Sequence, residues 1–396
     1  MRKSKLIKDP IHGYLKISGD ELALIDSLPL QRLRRIRQLP GSEYVYPGAV
    51  NTRFEHSLGV MHLAGMMGES LGSDPDSISL LRIAGLLHDI GHGPFSHSFE
   101  SVLMKNLGIS HEEMTSLLIR KSEISDILNK MGFDPSEISD LVRGRHCRKS
   151  FSKVINSSID SDKMDYIVRD SHHTGAGYSV DVHRIAENVV ESEGDLAINV
   201  RAIEAVESLF MARLLSYRTI YYHKTSRGVQ LMLEMAMMSV ADKLGLDDIK
   251  SDPQLFLELD DYSVWEILRK DERSKGIIRR LMRRDILKVA WERHGICVDS
   301  GKIEGIRKEI SGASGIEEES ILIDAPAIEF VGGELPKVLR EGDLLELPEA
   351  SPVLRRLLGV NPSFVRIYTW PEKRDKLKEC LRDLRIEEVV CSEPTH

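Results

Sequence analysis

The stretch that most constrains this chain is Ala84–His97, which reads AGLLHDIGHGPFSH. An apolar run delivers a His88-Asp89 pair, and a glycine-rich turn then adds His92 and His97. That run continues a helical segment through Leu80, Leu81, Ile83, Ala84 and Leu87. The segment before it begins near Arg53 and carries His56, Leu58, Val60, Leu63, Ala64 and Met67. Both are apolar on every side, as expected of helices buried in the middle of a bundle. Burial makes their few polar groups costly unless something binds them. Imidazole beside carboxylate suits Zn, Mn, Fe or Mg, with phosphate or water as the remaining ligand.

At 396 residues the chain exceeds the usual size of a single core, so two or three domains are expected. The net charge of -8 argues against a dedicated nucleic-acid binder, since sequence-independent affinity comes from basic surface; a local basic pocket for phosphates stays open. Cys147, Cys297, Cys380 and Cys391 are far apart and form no CxxC, so neither a disulfide framework nor a thiolate zinc site is indicated. No apolar run reaches membrane-spanning length, and the basic start is not followed by a signal-type apolar core. A cytoplasmic protein with no membrane partner is the default.

In chain order, Ile7–Ile17 reads as a turn and a short strand pair around Pro10 and Gly13. Helices are expected from Glu21 and, after Pro29, over Leu30–Leu39. The second places Leu30, Leu33 and Ile36 on one face and Arg32, Arg34, Arg35 and Arg37 around the others, either a solvated surface or one facing polyphosphate. Asn51 or Thr52 can cap the helix at Arg53, and Asp76 or Ser77 the next. Helices follow over 96–107, 111–121, 124–131, 135–143 and 159–173. In the last, Asp162, Tyr166 and either Arg169 or Asp170 share a face, flanked by Lys163. A strand at 197–200 precedes a long helical region over 203–243, whose Arg213, Tyr217 and Tyr221 form a stripe. After Asp285 strands (287–291, 320–323, 364–370, 387–390) alternate with helices (303–310, 353–358, 373–384). The organisation expected is an N-terminal segment 1–50, a helical core 51–245, a helical connection 246–285 and a smaller α+β domain 286–396. The fold class is mainly α.

His56, His88, Asp89 and Asp162 would leave open positions on an octahedral cation, so the site would be catalytic rather than structural. Singly, His56 or Asp162 reads as a satisfied core or capping residue; together with a buried His-Asp pair they read as a ligand set. His92, His97 and His111 titrate near neutrality and can pass a proton to a leaving oxygen, or else merely line the turn. Arg53, Lys163 and Arg213 are candidate phosphate clamps, with salt bridging as the bland alternative. These residues alone support a metal-dependent phosphohydrolase and leave its substrate open.

The pattern His56…His88-Asp89…Asp162 resembles the H…HD…D signature of the HD superfamily of metal phosphohydrolases. It is more similar still to the deoxynucleoside triphosphate triphosphohydrolases, especially the branch of the SAM- and HD-domain-containing dNTPase. The segments that carry the resemblance are Asp9–Gly13, Gln31–Arg34, Asn51–Val60, Gly85–His97 and Asp160–His173, within residues 5 to 245. It implies an HD-domain helical bundle and a divalent metal cofactor (Mg, Mn, Fe, Zn or Ni). It further implies cleavage of a dNTP between the α-phosphorus and the 5′ oxygen, releasing deoxynucleoside and triphosphate. His56, His88, Asp89 and Asp162 match the metal ligands, and Arg53, Lys163, Tyr166 and Arg213 the triphosphate grip. His92, His97 and His111 match histidines near the leaving group, with His97 chosen as general acid. Gln38 and Asp170 match groups that bind the sugar 3′-hydroxyl, and Leu39 and Tyr221 the wall against a ribose 2′-hydroxyl. Asp26, Gln31 and Arg34 match guanine-reading effector residues set between subunits of a dimer or tetramer, which favours the polyphosphate reading of the basic helix. The family's SAM domain is not expected. Three departures stand out: Tyr217 replaces a sugar-pocket histidine and bears on substrate preference, Lys8 replaces an effector-site asparagine, and Glu100 replaces an aspartate behind a proton-relay histidine. The alternatives are hydrolysis of another nucleotide or phosphorylated metabolite, and nucleotide sensing through a vestigial site.

Overall fold

The computed structural model describes residues 4–384 other than 327 and 329, together with residue 386. The strand expected over 387–390 lies outside the described residues. The chain opens on the expected hairpin: β1 (Lys5–Asp9) pairs antiparallel with β2 (Gly13–Ile17). Helix α1 (Gly19–Ile25) starts on a capping box, in which Glu21 N–H donates to Ser18 Oγ and Ser18 N–H to Glu21 Oε2. Helix α2 (Leu28–Arg32) carries Pro29 in its first turn.

The helix predicted over 30–39 ends early. A single 3₁₀ turn, Leu33–Arg35, follows α2, and Ile36 is already extended. Partners elsewhere claim the backbone: Arg53 N–H donates to Ile36 O, Gln38 N–H to Asn51 O, and Arg37 N–H to Asp261 Oδ2. The arginines find partners within the chain, Arg32 in the interior and Arg34 and Arg35 while still exposed. Arg32 is fully buried with Nε donating to Leu259 O at 2.7 Å, Arg35 pairs with Asp260, and Arg37 pairs with Glu43 at 2.8 Å. Arg34 is exposed and lies over the Phe54 ring.

The bundle comprises α3 (Arg53–Ser70), α4 (Pro75–Leu87), α5 (His97–Leu107), α6 (His111–Lys121), α7 (Glu123–Met131), α8 (Pro135–Val142), α9 (Lys149–Ile155) and α10 (Ser161–Thr174). Thr52 precedes α3, its N–H donating to Glu55 Oε1 at 2.7 Å. The cap of α4 is Asp74, not Asp76 or Ser77, because Pro75 occupies the first turn and Asp74 accepts from both following amides. A Cβ on Gly85 would meet Val60 O at 3.0 Å, so glycine is what lets α3 and α4 approach this closely.

Helix α11 (Val182–Ala186) leads into β3 (Val189–Ser192) and β4 (Asp195–Asn199), a hairpin of which only the second strand is anticipated. The helix expected over 203–243 is broken: α12 (Ile203–Ser216) passes into a π-turn at Tyr217–Tyr221, and α13 (Lys224–Ser239) restarts after an extended His223. No glycine or proline marks the break. Carbonyls around the break are met from far along the chain, Tyr222 O by Arg366 and Lys224 O by the Tyr368 hydroxyl.

Then come α14 (Asp261–Lys270), α15 (Lys275–Met282), β5 (Lys288–His294), α16 (Ser300–Ser314), β6 (Leu322–Asp324), β7 (Lys337–Arg340) and β8 (Asp343–Leu345). The chain continues through α17 (Leu347–Ala350), α18 (Pro352–Leu357), β9 (Phe364–Thr369) and α19 (Arg374–Asp383). Strand β7 pairs parallel with β4, extending the earlier hairpin to the four-stranded order β3-β4-β7-β8; β5, β9 and β6 form a separate antiparallel sheet. Val338, Leu347 and Leu354 therefore belong to the same apolar core as the bundle helices. A smaller core gathers Ala290, Ile306, Ile310, Ile367 and Leu377. The architecture is thus the expected one, a mainly helical bundle with a smaller C-terminal region of sheets and helices.

Candidate active site

Three bundle helices supply a polar cluster at the buried centre. His56 comes from the first turn of α3, His88 and Asp89 from the end of α4, and Asp162 from the first turn of α10. His56, His88 and Asp89 each place a ligand atom within 4.8 Å of the others. Asp162 Oδ1 lies 3.0 Å from His56 Nε2 and 3.6 Å from His88 Nε2.

The outer ring nitrogens are committed elsewhere. His56 Nδ1 meets Asp165 Oδ2 at 2.8 Å, and His88 Nδ1 meets the Gly85 carbonyl at 2.8 Å. Each partner accepts the Nδ1 proton, so it is the Nε2 atoms that face the centre and, in the neutral rings, offer their lone pairs to a cation, the arrangement that orients imidazole ligands. Both Nε2 atoms are buried without a hydrogen-bond partner among the described residues. Two orphaned acceptors facing two carboxylates fit a divalent cation, and borderline metals suit that mixed donor set.

The electrostatics also call for positive charge at this point. Burial works against protonation of His56, but Asp162 and Asp165 overcome it and push its pKa up to about 10. Burial would raise Asp89; the neighbouring Arg53, His88 and His92 instead hold it well below the ordinary carboxylate range.

Above the cluster opens a cavity of about 380 Å³. Its wall includes Arg53, which pairs with Asp89 and donates from Nε to Ser96 Oγ at 2.8 Å, and Lys163, which pairs with Asp160 at 2.8 Å. His92, His97 and His111 line the same wall. His92 and His111 stack with ring centres 4.0 Å apart, and His111 Nδ1 meets Glu100 Oε2 at 3.0 Å. Burial, followed by Arg53 and His111, lowers His97 to about 4. Gln38, Leu39, Tyr166, Asp170, Tyr217 and Tyr221 also line it. Asp170 accepts from Asn51 Nδ2 at 2.9 Å and from the Tyr221 hydroxyl at 3.0 Å, and burial raises its pKa to about 6.

The turn that carries these histidines is strained: Phe95 and Ser96 hold φ of 56° and 49°, in the left-handed region. Phe95 N–H donates to Asp261 Oδ1 at 2.7 Å and Ser96 Oγ to Arg37 O at 2.7 Å, which fix that conformation.

The fold thus gathers nearly all the residues singled out from the sequence. Arg213 stands apart from the cavity wall; it donates to Val331 O at 2.9 Å and to the Tyr217 hydroxyl at 3.3 Å. Of the two alternatives on α10, Asp170 faces the cavity, and Arg169 is buried against Asp165 and Asp9. Asp26, Gln31 and Arg34 do not line the cavity; Arg34 Nε donates to Gln31 Oε1 at 3.0 Å. Sequence reasoning missed Asp165, which orients His56, and Tyr222, Arg227 and Gln230, which complete the wall. The signal for Asp165 was its spacing, three residues after Asp162 and four before Arg169.

Comparison with known proteins agrees with this geometry. The HD domain family matches residues 53–170, and the HD associated region matches residues 180–389, more than half of the chain. The chain is 36% identical over 289 residues to an uncharacterized protein of Methanocaldococcus jannaschii, a match covering 72% of this chain and 59% of that one. It is 30% identical over 354 residues to the deoxynucleoside triphosphate triphosphohydrolase SAMHD1 homolog of Dictyostelium discoideum (81% and 67%). The human SAMHD1 triphosphohydrolase is 30% identical over 368 residues (78% and 59%). The chain therefore spans about three fifths to two thirds of these relatives' own lengths. Among solved structures, a hypothetical protein from Aquifex aeolicus superposes with a TM-score of 0.82 at 29% identity, covering 96% of this chain and all of that one. With four candidate ligands converging where the HD domain matches, the chain belongs to the HD superfamily of phosphohydrolases and is closely related to its SAMHD1-like branch.

Proposed function

We propose that this protein hydrolyses deoxynucleoside triphosphates to a deoxynucleoside and inorganic triphosphate. The observation that carries the reading is the one cavity whose wall brings Asp89 and Asp162 of the His/Asp cluster together with Arg53, Lys163, three imidazoles and the polar group of Gln38, Asp170 and Tyr221. The names of the Dictyostelium and human relatives support the substrate. A divalent ion held by His56, His88, Asp89 and Asp162 would polarise a phosphoryl oxygen and acidify water. Arg53 and Lys163 neutralise the phosphate chain, helped by Tyr166. Gln38 and Asp170 hold the sugar 3′-hydroxyl, and Leu39 and Tyr221 leave no room for a 2′-hydroxyl. Water adds to the α-phosphorus, the bond to the 5′ oxygen breaks, and that oxygen takes a proton from His97. In the empty pocket His97 is neutral at pH 7; the substrate's negative charge raises its pKa and restores the proton. Glu100 and His111 are the reserve behind it.

Two further features belong to the same proposal. Asp26, Gln31 and Arg34 form a surface group that binds a guanine-nucleotide activator between subunits of a dimer or tetramer. A second reading, cleavage of another nucleotide or phosphorylated metabolite, is favoured by Arg213, which Val331 and Tyr217 hold back from the cavity. A panel of dNTPs, NTPs and monophosphates, assayed with Mg, Mn, Fe, Zn and Ni and with or without GTP, separates them. Triphosphate released from dNTPs supports the first reading, orthophosphate from other substrates the second, and binding without turnover rejects both.

A further inference from the structure

Behind the candidate active site lies a second group of imidazoles, from three separate parts of the chain. His12 follows β1, His62 stands on α3, and His183 stands on α11. Each offers a ring nitrogen within 4.8 Å of the other two. The ring centres lie 5.3 to 6.0 Å apart, and His12 Nδ1 is 3.1 Å from His183 Nε2.

His12 is arranged as metal-bound histidines are. Its side chain is fully buried, and its Nε2 donates to Asp165 Oδ1 at 2.7 Å. That bond leaves the Nδ1 lone pair aimed at His183, the carboxylate–histidine pattern that fixes a ligand's tautomer and orientation. Asp165 is itself anchored, accepting from Arg169 Nε and Nη2 at 2.8 and 2.9 Å. His62 and His183 are half-buried, and His183 also lines a surface cleft with Asp181 and Glu187, so the group has an entry path from solvent.

We propose that His12, His62 and His183 form a second metal site, distinct from the His56/His88/Asp89 cluster, which takes a borderline divalent cation of the zinc type. The donors are three neutral imidazoles with no carboxylate among them. Such a set favours Zn, Ni or Cu over Mg or Ca, which require oxygen. Three protein ligands leave a fourth position for water. On binding, the cation takes the His12 Nδ1 lone pair and displaces the proton that His183 Nε2 shares with it in the metal-free chain. Asp165 joins the two sites: Oδ1 holds His12, and Oδ2 holds His56 at 2.8 Å. A cation on the three histidines therefore fixes the carboxylate that orients His56.

The test is zinc stoichiometry on the full chain, stripped with chelator, dialysed against Zn²⁺ and analysed by mass spectrometry of the metal. Wild type should retain two zinc ions per chain, with excess Mg²⁺ failing to displace the one on the three histidines. A His62→Gln/His183→Gln chain should retain one, and so should a His88→Gln/Asp89→Asn chain. Should the first variant fail to fold, X-ray absorption on the zinc-loaded His88→Gln/Asp89→Asn chain decides the matter. Three imidazole nitrogens at about 2.0 Å are expected. Two zinc ions in His62→Gln/His183→Gln, one in wild type, or an oxygen-dominated shell would overturn the proposal. None of these readouts depends on the substrate assigned to the active site.

Discussion

Gly59 and Asp165 touch so closely that a methyl group on Gly59 would lie 1.8 Å from Asp165 Oδ1. Helix α10 rests on α3 at this point, and the carboxylate behind His56 occupies the space that any side chain at position 59 would need. Gly59→Ala should therefore displace Asp165 and release the His56 ring. A loss of about 10–100-fold in affinity for the active-site metal is expected, the usual cost of disturbing a carboxylate behind a metal-bound histidine. Competition with a chelating dye would show it; unchanged affinity would mean that Asp165 does not orient His56.

Asp170 makes the stability of the metal-free chain depend on pH. Its pKa in the folded chain is about 6, above the ordinary 3.8, because burial disfavours its charge. The folded chain thus binds this proton more tightly than the unfolded one. Stability falls as pH rises from about 4 to about 6 and stays lower above that. Asp170→Asn should remove this slope and, above pH 7, gain roughly 3 kcal/mol relative to the wild-type trend. Urea titrations from pH 4 to 8 measure it, and parallel curves for the two chains would refute the shift.

His97 and Glu100 should separate in kinetics. His97→Gln removes the proposed proton donor and is expected to lower kcat about 10²–10⁴-fold with KM little changed. Glu100→Gln acts through His111 and should cost less, with its largest effect on the alkaline limb of the pH profile. Equal losses at every pH would argue against a proton relay.

Asp261 holds the strained turn at Phe95 and Ser96, and through the Arg37 amide it also holds the segment leading to Gln38 and Leu39. Asp261→Ala strands the buried Phe95 amide and the partly buried Arg37 amide, so a destabilisation of about 2–4 kcal/mol is expected. Turnover should fall with it, since the same turn sets His92 and His97. A melting temperature within a degree of wild type would contradict this.

Much of the centre was legible in the sequence, because burial and helical pitch act locally. Apolar residues on every side of two helices made His56, His88 and Asp89 expensive to bury unpaired. A four-residue step placed Asp162, Tyr166 and Asp170 on one face. What escaped was set by distant partners. Arg32 looked like a surface cation until Leu259 O and the Phe256 ring, more than two hundred residues away, gave it a buried seat. The break after Tyr221 carries no local signal, since its carbonyls are satisfied from Arg366 and Tyr368. Strand β7 is four residues long, too short a pattern to mark a strand until β4 offers it an edge. The choice between Arg169 and Asp170 likewise required knowing that Asp9 and Asp165 claim the arginine.

Phosphorus NMR of the phosphate product from a dNTP, with chromatography of the nucleoside product, followed with the metal-loaded full chain and with its Asp162→Ala variant, tests the central claim most directly. The account predicts inorganic triphosphate and deoxynucleoside in equal amounts from the wild-type chain and no turnover from the variant. Release of orthophosphate or pyrophosphate, or turnover that survives in Asp162→Ala, would contradict it.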